Sequence, residues 1–461
     1  MKPSNYNIFV PYEPDNVYIG YNCVSGGLYV FNQRQFKMVE EIFKDSNSIN
    51  NQEIEVFREK LIKGRFLIDE DWDEIKILKL RNNITRYGGI GTAIVAAPTL
   101  FCSLDCPYCY VDREKVTMNR QTINAIKKFF DKRIKKSDNA EVCWTGGEPL
   151  LALEVVEELN DYFYNQCKKQ DVIFSCSMVT NGYSLSPPIA ARLKKCGIKK
   201  LQITLDGCRE YHDRFRYRPG GGETYDRIMD NIVMAYGEGL KIILRSNINK
   251  DNYEGIYKLI DELAEKIINK DDFVFAPCMV TDIETSRGHC SCNVLSNREF
   301  SLLEPEILLY SAKKGFKIRP DILSTLRTHC GANTLPLHVI DAHGNVLKCW
   351  CNLGRADNNK IGVIKENGDI LYTDYKIMTK WMSWDPFDIE DCVKCKVLPI
   401  CMGGCMYHNI MGETDAIDIG CSHRRHNLED IIKVIYLSQT RDISQLEGIS
   451  ISKESKNKSK I

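Results

Sequence analysis

Three cysteines are packed into eight residues of the segment CSLDCPYCYVD, residues 102–112. They are Cys102, Cys106 and Cys109, spaced C-x3-C-x2-C, and the next cysteine along the chain is Cys143. A structural zinc site and a ferredoxin-type iron–sulfur cluster each normally take four protein ligands. Three thiolates around a four-iron cluster leave one iron open to a small molecule, so the spacing favours a chemically active cluster. A zinc site or a group of redox-active thiols is the alternative.

The chain holds twenty cysteines in 461 residues, and its first residues have neither the basic start nor the long apolar run of an export signal. Disulfides are disfavoured in a reducing cytosol, so clustered cysteines there indicate metal ligands or reactive thiols. Seven cysteines stand singly in apolar or mixed segments, and we interpret them as buried structural thiols. These seven are Cys23, Cys143, Cys167, Cys176, Cys196, Cys208 and Cys278.

A second group of cysteines lies towards the carboxyl terminus. It runs Cys330, Gly344-x4-Cys349, Cys392-x2-Cys395-x5-Cys401-x3-Cys405 and Cys421. A zinc ribbon would use two cysteine pairs and leave Cys330, Cys349 and Cys421 unused. The pattern therefore favours a domain that is organised by metal ligands.

The elements that must position the triplet are visible between about residues 93 and 280, where strand-like runs alternate with amphipathic helical stretches. The strand-like runs are AIVAAPT, EVCWTGG, VIFSCSMVTNG, KLQITLDG, KIILRSNI and DFVFAPCMV. Six such β/α units predict an α/β fold with a parallel sheet, closed or partly closed as a barrel. The triplet directly follows the first strand, at the edge of the sheet where such folds place their chemistry.

The triplet, with Tyr108 before its last cysteine, resembles the cluster motif of the radical S-adenosylmethionine (SAM) enzymes. The resemblance continues at the ends of the next four strands, with GGEP at 146–149, TNG at 180–182, LDG at 205–207 and RSN at 245–247. It implies a partial (β/α)6 TIM-like barrel whose cysteine triplet holds a [4Fe-4S] cluster. The SAM-contacting residues that it implies are Tyr108, Gly146, Gly147, Glu148, Pro149, Thr180, Asn181, Thr204, Asp206 and Arg245.

This resemblance also implies a reaction. The open iron chelates the amino and carboxylate groups of SAM, an electron from the cluster cleaves SAM reductively, and the resulting 5′-deoxyadenosyl radical abstracts a hydrogen atom from substrate. The cofactor carries the difficult step, while the protein binds, orients and excludes water.

The carboxy-terminal cysteines resemble the SPASM extension of radical SAM enzymes, which holds two auxiliary [4Fe-4S] clusters, so three clusters are expected in all. The resemblance assigns Cys392, Cys395, Cys401 and Cys421 to one auxiliary cluster. It assigns Cys330, Cys349 and Cys405 to the other.

The second of these assignments lacks a ligand. Sulfatase-maturing relatives have a further cysteine where this chain has Ser324, and an Asp, thought to act as a base, where it has Trp350. Both departures disfavour formylglycine formation. The missing ligand is Cys351, expected on the same strand face as Cys349, or a cysteine of the HCSC segment, Cys290 or Cys292. Otherwise the iron is open and binds a substrate cysteine thiolate.

The sequence divides into five regions: an α+β module at 1–90, the barrel at 91–282, a bridging segment at 283–325, the SPASM-like domain at 326–430, and a C-terminal helix with a disordered tail at 431–461. The first region resembles small modules that precede the barrel in radical SAM peptide maturases. Some of these grip a precursor's leader peptide, and an exposed strand edge would suit that role. A cap over the barrel is the alternative.

Lys plus Arg and Asp plus Glu both total 62, which gives no electrostatic case for nucleic-acid binding. No run of about 18 apolar residues predicts a membrane span, and we expect a cytoplasmic protein.

The function that we expect is maturation of a ribosomally synthesised precursor peptide by cysteine sulfur-to-carbon thioether cross-links, with flavodoxin or ferredoxin as electron donor. The enzyme alternatives are carbon–carbon cross-linking or epimerisation of a peptide, and anaerobic sulfatase maturation. An iron–sulfur electron carrier or a zinc-binding module without turnover is the alternative of another class.

Overall fold

The computed structural model describes residues 1–44, 52–89, 91–290, 292–326, 330–411 and 420–451, without the side chains of Pro320 and Asn358. The amino-terminal module contains a three-stranded antiparallel sheet in the order β2-β3-β4 and a short antiparallel pair of β1 and β5. Its elements are β1 (Lys2–Pro3), β2 (Asn7–Tyr12), β3 (Val17–Asn22), β4 (Leu28–Asn32), α1 (Gln33–Lys44), α2 (Gln52–Lys63), β5 (Leu67–Ile68) and α3 (Glu74–Tyr87).

Six parallel strands follow, each paired with the next in chain order, and the sequence prediction of an α/β fold with these six strands is confirmed. The elements are β6 (Gly91–Ala96), α4 (Arg120–Ile134), β7 (Asn139–Trp144), α5 (Leu153–Lys169), β8 (Ile173–Thr180), α6 (Pro187–Lys195), β9 (Lys200–Thr204), α7 (Arg209–Phe215), α8 (Tyr225–Gly237), β10 (Lys241–Ile248), α9 (Tyr253–Lys266) and β11 (Phe273–Met279). Only the short α7 has no counterpart in the sequence prediction.

Strand β10 shows how the sequence gives this sheet two faces. Ile242 and Leu244 are fully buried in the main core, whereas Ile243, Arg245 and Asn247 line an internal cavity. Side chains alternate between the two faces of a strand. The apolar side chains on one face of β10 therefore pack against the helices, and the side chains on the other face line the cavity.

The carboxy-terminal region extends the same sheet. Strand β12 pairs in parallel with β6, and three antiparallel strands follow it, so the full sheet has ten strands in the order β11-β10-β9-β8-β7-β6-β12-β13-β14-β15. The elements are α10 (Asn297–Lys313), β12 (Leu337–Ile340), β13 (Asn345–Leu347), β14 (Gly362–Ile364), β15 (Ile370–Tyr372), α11 (Tyr375–Ser383), α12 (Glu390–Val393), α13 (Leu398–Cys401), α14 (Met406–Met411) and α15 (Arg424–Thr440). The sequence did not predict this extension of the barrel sheet.

The amino-terminal sheet packs on both faces. One face carries aromatic residues, among them Phe9 and Phe31, which pack with α1 and α2 and with Phe66. Residues of the other face, including Ile19, share a core with α15 of the carboxy-terminal region. The two ends of the chain therefore form one packed body beside the barrel.

The last α-helix of the described residues, α15, begins at Arg424, earlier than the expected region boundary at 431. The predicted disordered tail lies outside the described residues, from 452 onwards. None of the helices in the described part is both long enough and apolar enough to cross a membrane.

Candidate active site

A cavity of about 490 Å³ lies inside the curved six-stranded sheet. Its wall combines the cysteine triplet with side chains from the neighbouring strands. Of the residues predicted from the sequence, those that line it are Cys102, Cys106, Tyr108, Cys109, Gly146, Gly147, Thr180, Asn181, Thr204 and Arg245. Glu148, Pro149 and Asp206 are buried behind this wall. The structure therefore brings the predicted triplet and the predicted SAM-contacting residues to one place.

The cysteine triplet lies on the loop after β6. The Asn181 amide donates to Cys102 Sγ at 3.7 Å and to Ser103 Oγ at 3.1 Å, so the end of β8 holds the start of this loop. Burial raises the pKa of the Cys102 thiol to about 11 and that of Cys106 to about 12. Thiolates at these buried positions need a nearby cation, which a bound iron centre would supply.

The GGEP turn fits against the triplet loop because its glycines have no side chain. Gly146 has φ of +116°, and a Cβ there would lie 2.5 Å from the Thr99 carbonyl oxygen. A Cβ on Gly147 would lie 2.2 Å from the Phe101 oxygen. Both contacts are shorter than any real Cβ approach, so only glycine lets the end of β7 pack this closely on the triplet loop.

Glu148 lies behind the cavity wall and connects two of the strands that form it. Its fully buried carboxylate accepts hydrogen bonds from Thr180 Oγ1 at 2.7 Å and from the backbone N–H groups of Asn181 and Leu150 at 2.7 and 3.0 Å. Burial raises the pKa of this carboxyl group, and these three donors oppose that rise. Glu148 thus joins the end of β7 to the end of β8 and fixes Asn181, while Pro149 begins the short 3-10 turn that follows.

Tyr108 belongs to a buried polar network. Its hydroxyl donates to Asp206 Oδ2 and accepts from Arg216 Nη1, the latter at 2.9 Å. Asp206 Oδ1 accepts from the Asn247 backbone N–H at 2.8 Å. The positive charge of Arg216 also lowers the pKa of both Cys102 and Cys106, against the effect of burial. Arg216 lines the cavity, and no sequence motif pointed to it.

Arg245 is the second guanidinium at the cavity, and it is partly buried. Its Nε donates to Asn247 Oδ1 at 2.7 Å, which fixes the side chain against the wall formed by β10. A guanidinium presents a planar fork of donors that suits a carboxylate. Arg245 is therefore placed to bind an anionic group of a ligand in the cavity.

Several cavity residues were missed by the sequence interpretation. Cys143 lines the cavity, and it is not the buried structural thiol that its apolar surroundings indicated. Of the other single cysteines, Cys23, Cys167 and Cys196 are buried as expected. Those that are only partly buried, against expectation, are Cys176, Cys208 and Cys278.

Trp350 and Cys351 bring the carboxy-terminal region to the cavity wall. The loop that carries them meets the triplet loop where the Asp112 N–H donates to the Leu353 carbonyl at 3.2 Å. Gly354, with φ of +79°, lies so close to Asp112 that a Cβ would come within 1.9 Å of its carbonyl oxygen. The two cysteine-bearing loops are thus in direct contact.

We call Cys330, Cys349 and Cys405 the first auxiliary set. The pKa of Cys405 is raised by loss of solvent around its sulfur and then by the nearby Cys349 and Cys330 thiols, which indicates that the three lie together. The prediction that Cys351 shares a strand face with Cys349 is wrong, because β13 ends at Leu347 and Cys349 precedes a 3-10 turn. The two thiols are nevertheless in contact, since a hydrogen bond with Cys351 is the largest cause of the raised pKa of Cys349.

The other two candidate ligands are placed differently. The Cys292 backbone N–H donates to Cys290 Sγ at 3.2 Å, and the two thiols act on each other. Their mutual hydrogen bond is the largest cause of a lowered pKa at Cys290 and of a raised pKa at Cys292. Nearby acidic groups also act on them, Asp282 on Cys290 and Asp251 on Cys292. The contacts of the first auxiliary set therefore favour Cys351 over these two as its fourth member.

We call Cys392, Cys395, Cys401 and Cys421 the second auxiliary set. Burial raises the pKa of Cys392 to about 11 and that of Cys401 to about 12, and in both cases the charge of Cys421 is the next cause. Cys395 acts on both thiols as well. These four thiols therefore lie within reach of one another's charges, and their assignment to one cluster stays a prediction.

Within the described part of the chain, no three His, Cys, Asp or Glu side chains converge closely enough to hold a single metal ion. A tetrahedral zinc site requires such convergence. A four-iron cluster instead takes one cysteine on each iron, which spreads the ligands over a larger body.

Comparison with known proteins shows which families this chain resembles. Residues 97–263 match the family model of the Radical SAM superfamily. The chain is 25% identical over 233 residues to the Fe-coproporphyrin III synthase of Methanosarcina barkeri (strain Fusaro / DSM 804), covering 50% of this chain and 54% of that protein. It is 23% identical over 326 residues to the cysteine-type anaerobic sulfatase-maturating enzyme of Clostridium novyi (strain NT), covering 66% of this chain and 84% of that protein. The chain thus spans only about half the length of the first of these relatives.

Solved structures share the fold over a larger part of the chain. Native anSMEcpe with bound AdoMet and Cp18Cys peptide aligns with a TM-score of 0.58 at 18% identity, covering 76% of this chain and 99% of that one. Streptococcus suis SuiB bound to precursor peptide SuiA aligns with a TM-score of 0.53 at 16% identity, covering 92% of this chain and 99% of that one. This chain therefore has the fold of anSMEcpe and SuiB, and it carries a radical SAM domain at residues 97–263.

Proposed function

We propose that this protein is a radical SAM enzyme that matures a ribosomally synthesised peptide by linking a cysteine sulfur to a carbon of another residue. One observation carries the proposal: a single cavity is lined by the cysteine triplet on one side and by Cys351, in contact with Cys349 of the first auxiliary set, on the other. A peptide in this cavity would lie between a site of radical formation and an auxiliary cluster.

The triplet would hold the SAM-binding cluster, which together with SAM supplies a carbon radical that abstracts hydrogen. The chain's own residues bind and orient. Gly146 and Gly147 let the backbone approach the cluster loop, and Asn181 holds Cys102. Arg245 lies on the cavity wall, where its guanidinium suits a carboxylate such as that of SAM. With substrate bound, the sheet would limit the access of water to the reacting atoms.

The first auxiliary set has two arrangements consistent with its contacts. Either Cys351 is the fourth ligand, or one iron is open and binds the substrate cysteine. A titration separates them: a cysteine-containing substrate peptide should change the auxiliary-cluster EPR or absorption spectrum if the iron is open, and leave it unchanged if Cys351 closes the cluster. In the closed case, a Cys351→Ser variant should gain the response, which a matched Cys208→Ser variant should not.

The amino-terminal module is the proposed site for the leader of the peptide. Strand β4 forms an edge of the sheet β2-β3-β4, and it exposes Val30 at 40%. An extended peptide adds to such an edge through backbone hydrogen bonds. The solved structures of SuiB with SuiA and of anSMEcpe with a peptide support a peptide substrate for this fold. Flavodoxin or ferredoxin is the proposed electron donor.

The deciding experiment is anaerobic. Reconstituted enzyme is incubated with SAM, a reductant and a cysteine-containing precursor peptide encoded beside its gene, and the peptide is then reduced, alkylated and weighed. A thioether gives a loss of about 2 Da that survives reduction and leaves a cysteine unalkylated, whereas a disulfide does not survive. The same loss with every cysteine alkylated would instead indicate a carbon–carbon link. If the reaction is run in D₂O, uptake of one deuterium by the peptide without that loss of mass would indicate epimerisation.

Three other functions are tested with the same reconstituted enzyme, SAM and reductant, with a sulfatase peptide added for the first of them. Sulfatase maturation would convert a cysteine of a sulfatase peptide to formylglycine, and the cavity presents the indole of Trp350 where that chemistry places a carboxylate base. An electron carrier or a zinc module would release no 5′-deoxyadenosine. Formation of 5′-deoxyadenosine that is lost in Cys102→Ala would exclude both of these non-catalytic roles.

A further inference from the structure

Trp381 on α11 packs into the small core around the first auxiliary set. Its side chain is only 1% exposed, and it belongs to a buried cluster with Ala332 and Met406. Cys330 and Cys349 pack against the same cluster. Trp381 therefore belongs to the same small core as two of the three cysteines in the set.

The indole N–H of Trp381 has no hydrogen-bond partner among the described residues. A buried donor without a partner is costly, and folded proteins rarely leave one. The fully buried Trp144, in contrast, donates its indole N–H to Asn160 Oδ1 at 3.0 Å. Asn352, fully buried and three residues after Cys349, likewise has no partner for its side-chain amide within the part of the chain that the structure describes.

The surroundings of Trp381 limit what can accept this hydrogen bond. The remaining side chains packed against its cluster are mainly apolar or aromatic, such as Ile377, Trp384 and Ile410. A buried water normally needs two to four polar partners, which such surroundings do not favour. The sulfides and thiolates of an iron–sulfur cluster, in contrast, are negatively charged acceptors at the place where Cys330 and Cys349 lie.

We infer that the Trp381 indole N–H donates a hydrogen bond to a sulfur of the cluster held by the first auxiliary set, and that it raises the reduction potential of that cluster. One-electron reduction adds negative charge without a proton, and a donor aimed at the sulfurs stabilises the reduced form more than the oxidised form. The inference rests on the auxiliary cluster of the proposed function. It makes Trp381 a positioning residue that sets how readily this cluster takes an electron.

The test compares midpoint potentials in full-length protein whose triplet is replaced by alanine, so that only the auxiliary clusters contribute. Trp381→Phe removes the N–H and keeps an aromatic ring. We expect one of the two midpoint potentials, followed by EPR during a redox titration, to fall while the other stays in place. Trp144→Phe is the matched control, because it removes an indole N–H with a protein partner, and it should shift neither potential. Unchanged potentials in Trp381→Phe would overturn the inference.

A second measurement needs no substitution at Trp381 and covers the case in which Trp381→Phe fails to fold. Protein labelled with ¹⁵N in the tryptophan indoles is reduced, and pulsed EPR is used to detect ¹⁵N and an exchangeable proton coupled to the auxiliary cluster. Detection of both supports the hydrogen bond, and their absence overturns it. Measurement of the iron content shows whether the first set holds a cluster. If it holds none, the proposed cofactor assignment fails together with the inference. If it holds one and no coupling is detected, only the inference fails.

Discussion

The two auxiliary sets are built into different parts of the molecule. The first set meets the active-site cavity through Cys351, whose loop touches the triplet loop. Tyr110, directly after the triplet, has its pKa raised by burial and then by the charges of Cys351 and Cys109, so it lies between the two sites. The first set therefore lies beside the cavity in which the proposed peptide chemistry would occur.

The second set instead lies in the core shared by the two ends of the chain. Cys392, Cys395 and Cys401 pack against the cluster of buried side chains that joins the amino-terminal sheet to α15. The charge of Cys395 acts on both Tyr6 and Cys23 of the amino-terminal module. This location supports a structural role, in which the second set organises the body that carries the proposed leader site.

Disruption of the first auxiliary set should have the largest effect on the amount of modified peptide. Cys405→Ala removes one ligand from that set but leaves the triplet intact. We expect peptide modification to fall at least about 100-fold, with formation of 5′-deoxyadenosine kept within about threefold. Both products are measured by liquid chromatography and mass spectrometry, with Cys208→Ala as a control outside all three sets. Equal loss of both products would mean that the first set does not act separately from SAM cleavage.

Loss of the second set should have the larger effect on stability. Cys401→Ala lies in a core shared by both chain ends, and a metal centre that binds only the folded state contributes its binding energy to folding. We expect the free energy of unfolding to fall by about 3 kcal/mol or more, with faster hydrogen exchange in β2 and β3. Cys405→Ala should have a smaller effect on both. If the two variants lose equal stability, the distinction between the sets is wrong.

The difference between these regions also shows what the sequence could predict. The six barrel strands have five to eight residues each, with strongly apolar alternation, and they were predicted. Strands β12 to β15 have three or four residues, and their order depends on pairing with β6, which no local pattern reveals.

The same limit applies to the site. The glycines of GGEP and the asparagine of TNG belong to motifs, so their place at the cavity followed from strand ends. Arg216 meets Tyr108 across 108 residues of chain, and Cys351 reaches the cavity only because its loop packs on Asp112. Contacts between distant loops are tertiary facts, and a single sequence carries no periodic signal for them.

Low pH should change the stability of the regions around the first and the second auxiliary set differently. His338 lies on β12, where the first-set region joins the barrel, and burial, followed by the charge of Arg133, lowers its pKa to about 3. Near the second set, burial would raise the pKa of Glu304, but the guanidinium of Arg424 holds it well below the usual range. Since the His338 pKa is lowered on folding, its contribution to stability is present above about pH 6.5 and is lost as the pH falls towards 3.

We therefore expect the free energy of unfolding to fall with a slope of up to about 1.4 kcal/mol per pH unit below pH 6.5 from this one residue. His338→Gln, which does not titrate, should flatten the curve in that window in urea unfolding measured from pH 7 to pH 4. The control is His289→Gln, an exposed histidine outside the junction, which should leave the slope as it is. A slope unchanged in His338→Gln would place the acid-sensitive element elsewhere.

The smallest expected effect concerns the second set. The Arg425 side chain, at the exposed start of α15, hydrogen-bonds the Cys421 thiol. An exposed charged donor contributes little, because water and salt screen it. Arg425→Met should lower the midpoint potential of the second auxiliary cluster by about 20 mV, the one-electron equivalent of about 0.5 kcal/mol.

The shift from Arg425→Met should disappear at high ionic strength, whereas the shift from Trp381→Phe should not, because a neutral buried donor is not screened. Redox titrations of both variants at low and high salt measure this contrast. If the shift in midpoint potential caused by Arg425→Met does not depend on salt, the second set is as well shielded from solvent as the first. The two sets would then differ in their position relative to the cavity, and not in the protection of their sulfurs from solvent.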